Sequence, residues 1–84
     1  MSHVVVYSSA NCPYCIRAKE LLEKKGIQYE EVRVDLDPAQ RDLMIERSGR
    51  RTVPQIFINN HPIGGCDDLY ALDKSGELAE LLSR

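Results

Sequence analysis

Eighty-four residues with 11 Lys and Arg against 13 Asp and Glu, a formal net charge of −2, make up one small domain over 1–84. The 43% hydrophobic and 29% charged fractions are those of an ordinary globular chain, and the charge balance lacks the basic excess of a nucleic-acid binder. No window has the length of a membrane span, and Val4-Val5-Val6-Tyr7 is too short, with no basic stretch before it, for a secretory signal; the expectation is a cytoplasmic monomer with neither nucleic-acid nor membrane partners.

Val4-Val5-Val6-Tyr7 is a β-branched run that reads as a buried strand, broken at Ser8-Ser9-Ala10-Asn11. Pro13 suits the first position of a helix, where a missing N–H costs nothing. Cys15, Ala18, Leu21 and Leu22 then recur at helical spacing, and Gly26 stops the helix after Lys24-Lys25. Ile27 to Val34 reads as a second strand with a slip in phase between Ile27/Tyr29 and Val32/Val34. Asp37-Pro38-Ala39-Gln40 is a helix start, with Asp as N-cap and Gln at the capping-box position; the helix carries Leu43 and Met44 inward and ends at Gly49. Gln55-Ile56-Phe57-Ile58 is a third strand. Asn59-Asn60 turns it into the short strand His61-Pro62-Ile63, which Pro62 places at a sheet edge. Asp67 to Leu72 and Glu77 to Leu82 are helical, separated or kinked at Gly76. The order β-α-β-α-β-β-α predicts an α/β fold. Its four-stranded mixed sheet carries helices on its faces, with the first two strands parallel through a right-handed crossover.

Three cysteines in a reducing compartment are seldom structural disulfides, and a close pair there is catalytic or metal-binding. Cys12-Pro13-Tyr14-Cys15 lies where the first strand meets the first helix. A thiolate rather than a thiol attacks a disulfide, and the unpaired N–H groups and positive dipole end at a helix N-terminus favour the anion. Cys12 falls at the N-cap, exposed, with the amides of Tyr14 and Cys15 directed at its sulfur. Cys15 lies a turn further in, placed to resolve a mixed disulfide and too buried to begin one. The competing zinc reading needs four ligands, usually as two pairs, and only Cys66, His61 and His3 remain. His61 itself reads as a surface residue, and Arg50-Arg51 as a solvated loop.

The succession of strand, Cys12-Pro13-Tyr14-Cys15, helix, Thr52-Val53-Pro54 before a hairpin, and Gly64-Gly65-Cys66-Asp67-Asp68 opening a helix resembles the glutaredoxin family over essentially the whole chain. It is similar in particular to the bacterial type 3 form, which also carries a third cysteine after a Gly-Gly pair. The resemblance implies a thioredoxin fold, and a glutathione-dependent thiol–disulfide oxidoreductase that reduces protein disulfides and glutathione mixed disulfides. Cys12 would be its nucleophile and Cys15 its resolving thiol. It further implies a glutathione site of Tyr14, Thr52, Val53, Pro54, Gly65, Cys66 and Asp67, with no bound cofactor and glutathione as cosubstrate.

Physical reasons accompany each carry-over. A cis Pro54, rare in general, would turn the Val53 backbone outward beside Cys12, to pair with the ligand backbone as an added strand. Gly64-Gly65 admits a close approach, and the Cys66 and Asp67 amides at a helix start suit a carboxylate. The Asp67 side chain suits an ammonium, while the competing reading makes Asp67 or Asp68 an N-cap. Cys66 reads as a small buried side chain whose backbone meets ligand; a reactive thiol is the alternative. The chain departs from many family members at Ser9, where a lysine is common, and Arg50, Arg51 or Arg17 would have to supply that charge. A thioredoxin-like reductase fed by a flavoprotein is the rival enzyme, expecting a tryptophan and Gly-Pro where this chain has no Trp and Pro-Tyr. An iron–sulfur cluster carrier and a peptide-binding module are rivals of other classes.

Overall fold

The computed structural model describes residues 3–83. Strand β1 (Val4–Ser8) leads into helix α1 (Pro13–Lys24), β2 (Glu30–Arg33), α2 (Pro38–Ser48), β3 (Gln55–Ile58), β4 (His61–Gly64), α3 (Cys66–Ser75) and α4 (Glu77–Leu82). The strands form one sheet in the order β2-β1-β3-β4. β1 and β2 are parallel, whereas β1–β3 and β3–β4 are antiparallel. No helix among the described residues is long and apolar enough to cross a membrane.

Alternation along the two central strands sends side chains to opposite faces and so builds two cores. Val4 and Val6 of β1 with Ile56 and Ile58 of β3 meet Ala18, Leu21 and Leu22 of α1, Leu69 of α3 and Leu78 of α4. On the other face Tyr7, Val34, Met44 and Phe57 form a smaller cluster beneath α2. There the rings of Tyr7 and Phe57 meet edge to face, with centroids 5.4 Å apart.

Local chemistry sets most boundaries where the sequence placed them. The Asp37 carboxylate accepts from the Ala39 amide at 3.1 Å and the Gln40 amide at 3.4 Å. Gly49 ends α2 with φ +73°, a left-handed conformation open to glycine. Asn59 and Asn60, with φ of +51° and +69°, supply the two positive values of a type I′ hairpin turn. Pro62 does lie on the edge strand β4, next to a register shift opposite Ile56 and Phe57, where its missing N–H disturbs no ladder.

Three expectations are corrected. β2 spans Glu30–Arg33 rather than 27–34, because the Ile27 amide is taken by the Leu22 carbonyl at 2.9 Å as α1 ends. Beyond the strand, Val34 continues the pairing by one bond, from its amide to the Ser8 carbonyl at 2.9 Å. Leu43 is only half-buried; Met44 is fully enclosed, and it is Ile45 that packs beside it. The helix expected over 67–72 runs longer, as α3 over Cys66–Ser75, while α4 keeps the expected bounds and the two part at Gly76, φ +86°, as the sequence indicated.

The small cluster under α2 has little to spare. Met44→Ala is expected to cost about 2–5 kcal/mol, the usual range for emptying such a buried site, and Asp37→Ala about 1 kcal/mol through the lost cap. Urea unfolding of the two variants checks the ranking; a Met44→Ala loss below that of Asp37→Ala would contradict the packing described.

Candidate active site

The site begins where β1 stops. Ser8 is fully buried at the strand end, and the chain then turns through Asn11, whose φ of +55° asparagine tolerates better than most residues. Asp35, just beyond β2, anchors this turn by accepting from the Ala10 amide at 3.3 Å. Arg33 grips the same carboxylate through Nε at 2.8 Å and Nη2 at 2.6 Å, which with the Ala10 amide holds the Asp35 carboxyl down at about 2.

Cys12 caps α1 from an extended backbone. Its Sγ accepts from the Cys15 amide at 3.2 Å, so a sulfur takes the place that a serine or aspartate oxygen holds at other helix starts. Of the two amides expected there, the Cys15 amide makes the bond. The Cys12 thiol lies 3.8 Å from the Val53 carbonyl oxygen, toward which it donates. Cys12 is partly rather than fully exposed, and Cys15 is completely enclosed. Burial pushes the Cys15 thiol up to about 12; its hydrogen bond with Cys12 adds to the rise, while the Ser9 backbone N–H and the Lys19 ammonium oppose it. The two sulfurs of one motif are thus placed unlike each other: one reachable at the helix tip, the other sealed behind it.

A groove of about 320 Å³ opens beside Cys12, and all seven residues expected to hold a ligand line it: Tyr14, Thr52, Val53, Pro54, Gly65, Cys66 and Asp67. The Val53–Pro54 peptide bond is cis, as the resemblance implied. Tyr14 is 55% exposed, with the Arg17 guanidinium 5.9 Å from its ring centroid, within cation–π range.

Three further lining residues are Arg50, Gln55 and Asp68. Gln55 was read only as the first residue of a strand. Its Nε2 donates to the Thr52 carbonyl at 3.0 Å and to Thr52 Oγ1 at 3.3 Å, bracing the loop around Pro54 from within; one polar residue heading an otherwise apolar buried strand was the available signal. Asp68 settles the question of its pair. Its Oδ2 accepts from the Gly65 amide at 2.9 Å and pairs with Arg50 Nη1 at 3.1 Å, which together draw its carboxyl below the usual range. The N-cap residue is Gly65 and Asp68 reaches back to it, leaving Asp67 exposed on the groove. Gly64, at φ +119°, faces this same carboxylate, and a Cβ there would run into it.

Cys66 is buried, and burial, with Asp67 beside it, raises its thiol. The cations considered as stand-ins at Ser9 separate: Arg50 faces the groove, whereas Arg17 lines a neighbouring hollow with Tyr70. Arg51 is exposed and its carbonyl accepts from Arg41 Nη2 at 3.3 Å. His61 is exposed on β4.

The glutaredoxin family model matches residues 4–63. Glutaredoxin 3 of Escherichia coli K12 is 56% identical over 82 residues, 98% of this chain and 99% of that one; a glutaredoxin of Pseudomonas aeruginosa is 49% identical over 83 residues, 99% of each. Among solved structures, a buckwheat glutaredoxin–glutathione complex superposes with a TM-score of 0.89 at 33% identity, covering 98% of this chain and 77% of that one. Glutaredoxin from Brucella melitensis gives 0.83 at 51% identity, covering 95% and 87%. With its dithiol at the tip of α1 and a thioredoxin-fold sheet beneath, the chain belongs to the glutaredoxin family of thiol–disulfide oxidoreductases.

Proposed function

We propose that the chain is a glutathione-disulfide oxidoreductase that reduces glutathione mixed disulfides and protein disulfides. Glutathione is its electron donor and no cofactor is bound; it works as a monomer in the cytoplasm. The observation that carries this reading is the unequal placement of the dithiol, Cys12 partly exposed at the helix tip and Cys15 enclosed, next to a groove sized for a small peptide. The buckwheat relative of the same fold was solved as a complex with glutathione, which supports the same ligand class here.

Cys12, as thiolate, attacks the glutathionyl sulfur of a mixed disulfide. A bond forms between Cys12 and glutathione, the old S–S bond breaks, and the substrate leaves as a thiolate that takes up a proton. A second glutathione then attacks the sulfur held on Cys12, giving oxidised glutathione and restoring the Cys12 thiolate. The bound tripeptide pairs its backbone with Val53, beside Tyr14, Thr52 and Pro54. Its γ-glutamyl carboxylate meets the amides of Cys66 and Asp67 after Gly65, and its ammonium meets the exposed Asp67 carboxylate. Arg50, paired with Asp68 beside Gly65, adds positive charge at this γ-glutamyl end. On protein disulfides Cys15 attacks Cys12 instead and expels the substrate thiol, leaving the Cys12–Cys15 disulfide.

A coupled assay with glutathione, a small mixed disulfide, glutathione reductase and NADPH should show turnover by the unaltered chain. Cys12→Ser should lose it by at least about a hundredfold, the scale on which loss of a nucleophile is felt. Cys15→Ser should keep that activity and lose protein-disulfide reduction. No turnover by the unaltered chain, or equal loss in both variants, contradicts the assigned roles.

Iodoacetamide at neutral pH should modify Cys12 first, leaving Cys15 and Cys66 unlabelled until denaturant opens the core. Peptide mapping reads the order, and prior labelling of either buried cysteine would refute it.

A further inference from the structure

The protein-disulfide route asks a completely enclosed thiol, held high by burial, to attack as an anion. Lys19 lies four residues after Cys15 on α1, so the two share one side of the helix a turn apart. Its side chain is only 25% exposed, and its ammonium sits 2.8 Å from Glu31 Oε2 on β2. That oxygen also accepts, at 2.6 Å, from the hydroxyl of Ser8, which is fully buried on β1. Lys19 and then Ser8 keep the Glu31 carboxyl below its usual range, so the pin stays charged. A surface lysine ordinarily has rotamer freedom to lose and little to gain from an ion pair; here Glu31, itself tied to Ser8, fixes the ammonium on the side of α1 that carries Cys15. The ionisable groups acting on Cys15 are Cys12, which opposes its anion, and Lys19, which favours it.

We propose that Lys19, fixed by Glu31 and Ser8, is a positioning residue for the resolving step: its ammonium stabilises the Cys15 thiolate that expels substrate from Cys12. The inference rests on the dithiol reading above. In the step, the Cys15–Cys12 bond forms, the bond from Cys12 to the substrate sulfur breaks, and the substrate leaves with the electron pair. The leaving thiolate takes up the proton that Cys15 gives up, so the cysteines are oxidised by two electrons and the substrate disulfide reduced by two. Lys19 stays protonated throughout; it is a counter-charge and not a base.

A partly exposed opposite charge moves a pKa by about one to two units, the lower part of the range for a close pair. Each unit changes the thiolate fraction tenfold, and nucleophilicity changes about threefold in the other direction. Removing the ammonium therefore slows the resolving attack by about three- to tenfold. The test is reaction of the reduced chain with 5,5′-dithiobis(2-nitrobenzoate) in stopped flow. The first thionitrobenzoate released reports attack by Cys12 and the second reports attack by Cys15. Lys19→Met is expected to slow the second release three- to tenfold and leave the first unchanged, while Lys19→Arg restores the second to within about twofold. Lys19→Gln serves in the same role should the Met variant fail to fold. A second release at the unaltered rate in Met or Gln, equal slowing of both releases, or a failure of Arg to restore would each overturn the proposal. No glutathione is present, so a chain that passes this test and is inert in the coupled assay refutes the glutathione-dependent reading alone.

Discussion

The hydrogen bond from the Cys15 amide to Cys12 Sγ is the contact on which the rest of the site depends. A helix start leaves amides without partners, and most chains satisfy them with a side-chain oxygen. This one spends that position on a sulfur, and the consequence runs in two directions. The cap fixes where α1 begins and hence which face of it lies on the sheet. The same geometry forces the reachable thiol to the helix tip, while its partner three residues on turns under the first turn and is shut in. Pro13, the first residue of α1, is compatible with this because a proline there withholds no amide the helix would use.

The surrounding structure holds that tip still from several sides. The turn before it is tied by Ala10 to Asp35 and through Asp35 to Arg33. The loop facing it is braced from below by Gln55 on Thr52. The far wall of the groove is closed by the Arg50–Asp68–Gly65 chain of contacts, in which Asp68 secures a helix end and leaves its neighbour Asp67 free to face outward. The three structures differ in kind, an ion pair, a neutral side-chain brace and a capped glycine, and each comes from a different part of the chain.

What could be read in the sequence was what is decided locally. Asp37, Gly49, Gly76 and the Asn59-Asn60 turn mark their boundaries through the conformations those residues favour, and the Cys12 cap follows from its place between a strand and Pro13. What could not be read depends on partners distant in sequence or on a competition for one amide. The start of β2 moves because Leu22 claims Ile27. Asp67 and Asp68 differ only in which side chain returns to Gly65 and meets Arg50, eighteen residues away. Gln55 stands out locally as the polar head of an apolar strand, but its partner Thr52 is fixed only by the fold of the loop around Pro54. Helical periodicity in α2 marked Met44 but could not separate Leu43 from Ile45, since the width of the buried stripe is set by the sheet below.

β1 and β3 run antiparallel with Tyr7 opposite Gln55, so the end of one and the beginning of the other lie side by side. The thiol-bearing turn and the cis-proline loop therefore emerge together, and their spacing is inherited from a single strand pairing. Successive residues advance about 3.4 Å along such a strand, and only a slip of two preserves which side chains face which core. The least disruptive misregistration would thus part the two loops by about 7 Å, more than the groove between them could span. The outer strands hang on this pair, and what they bring to the working end, Asp35 beneath Ala10 after β2 and Gly65 at the groove after β4, is placed only as well as the central pairing is.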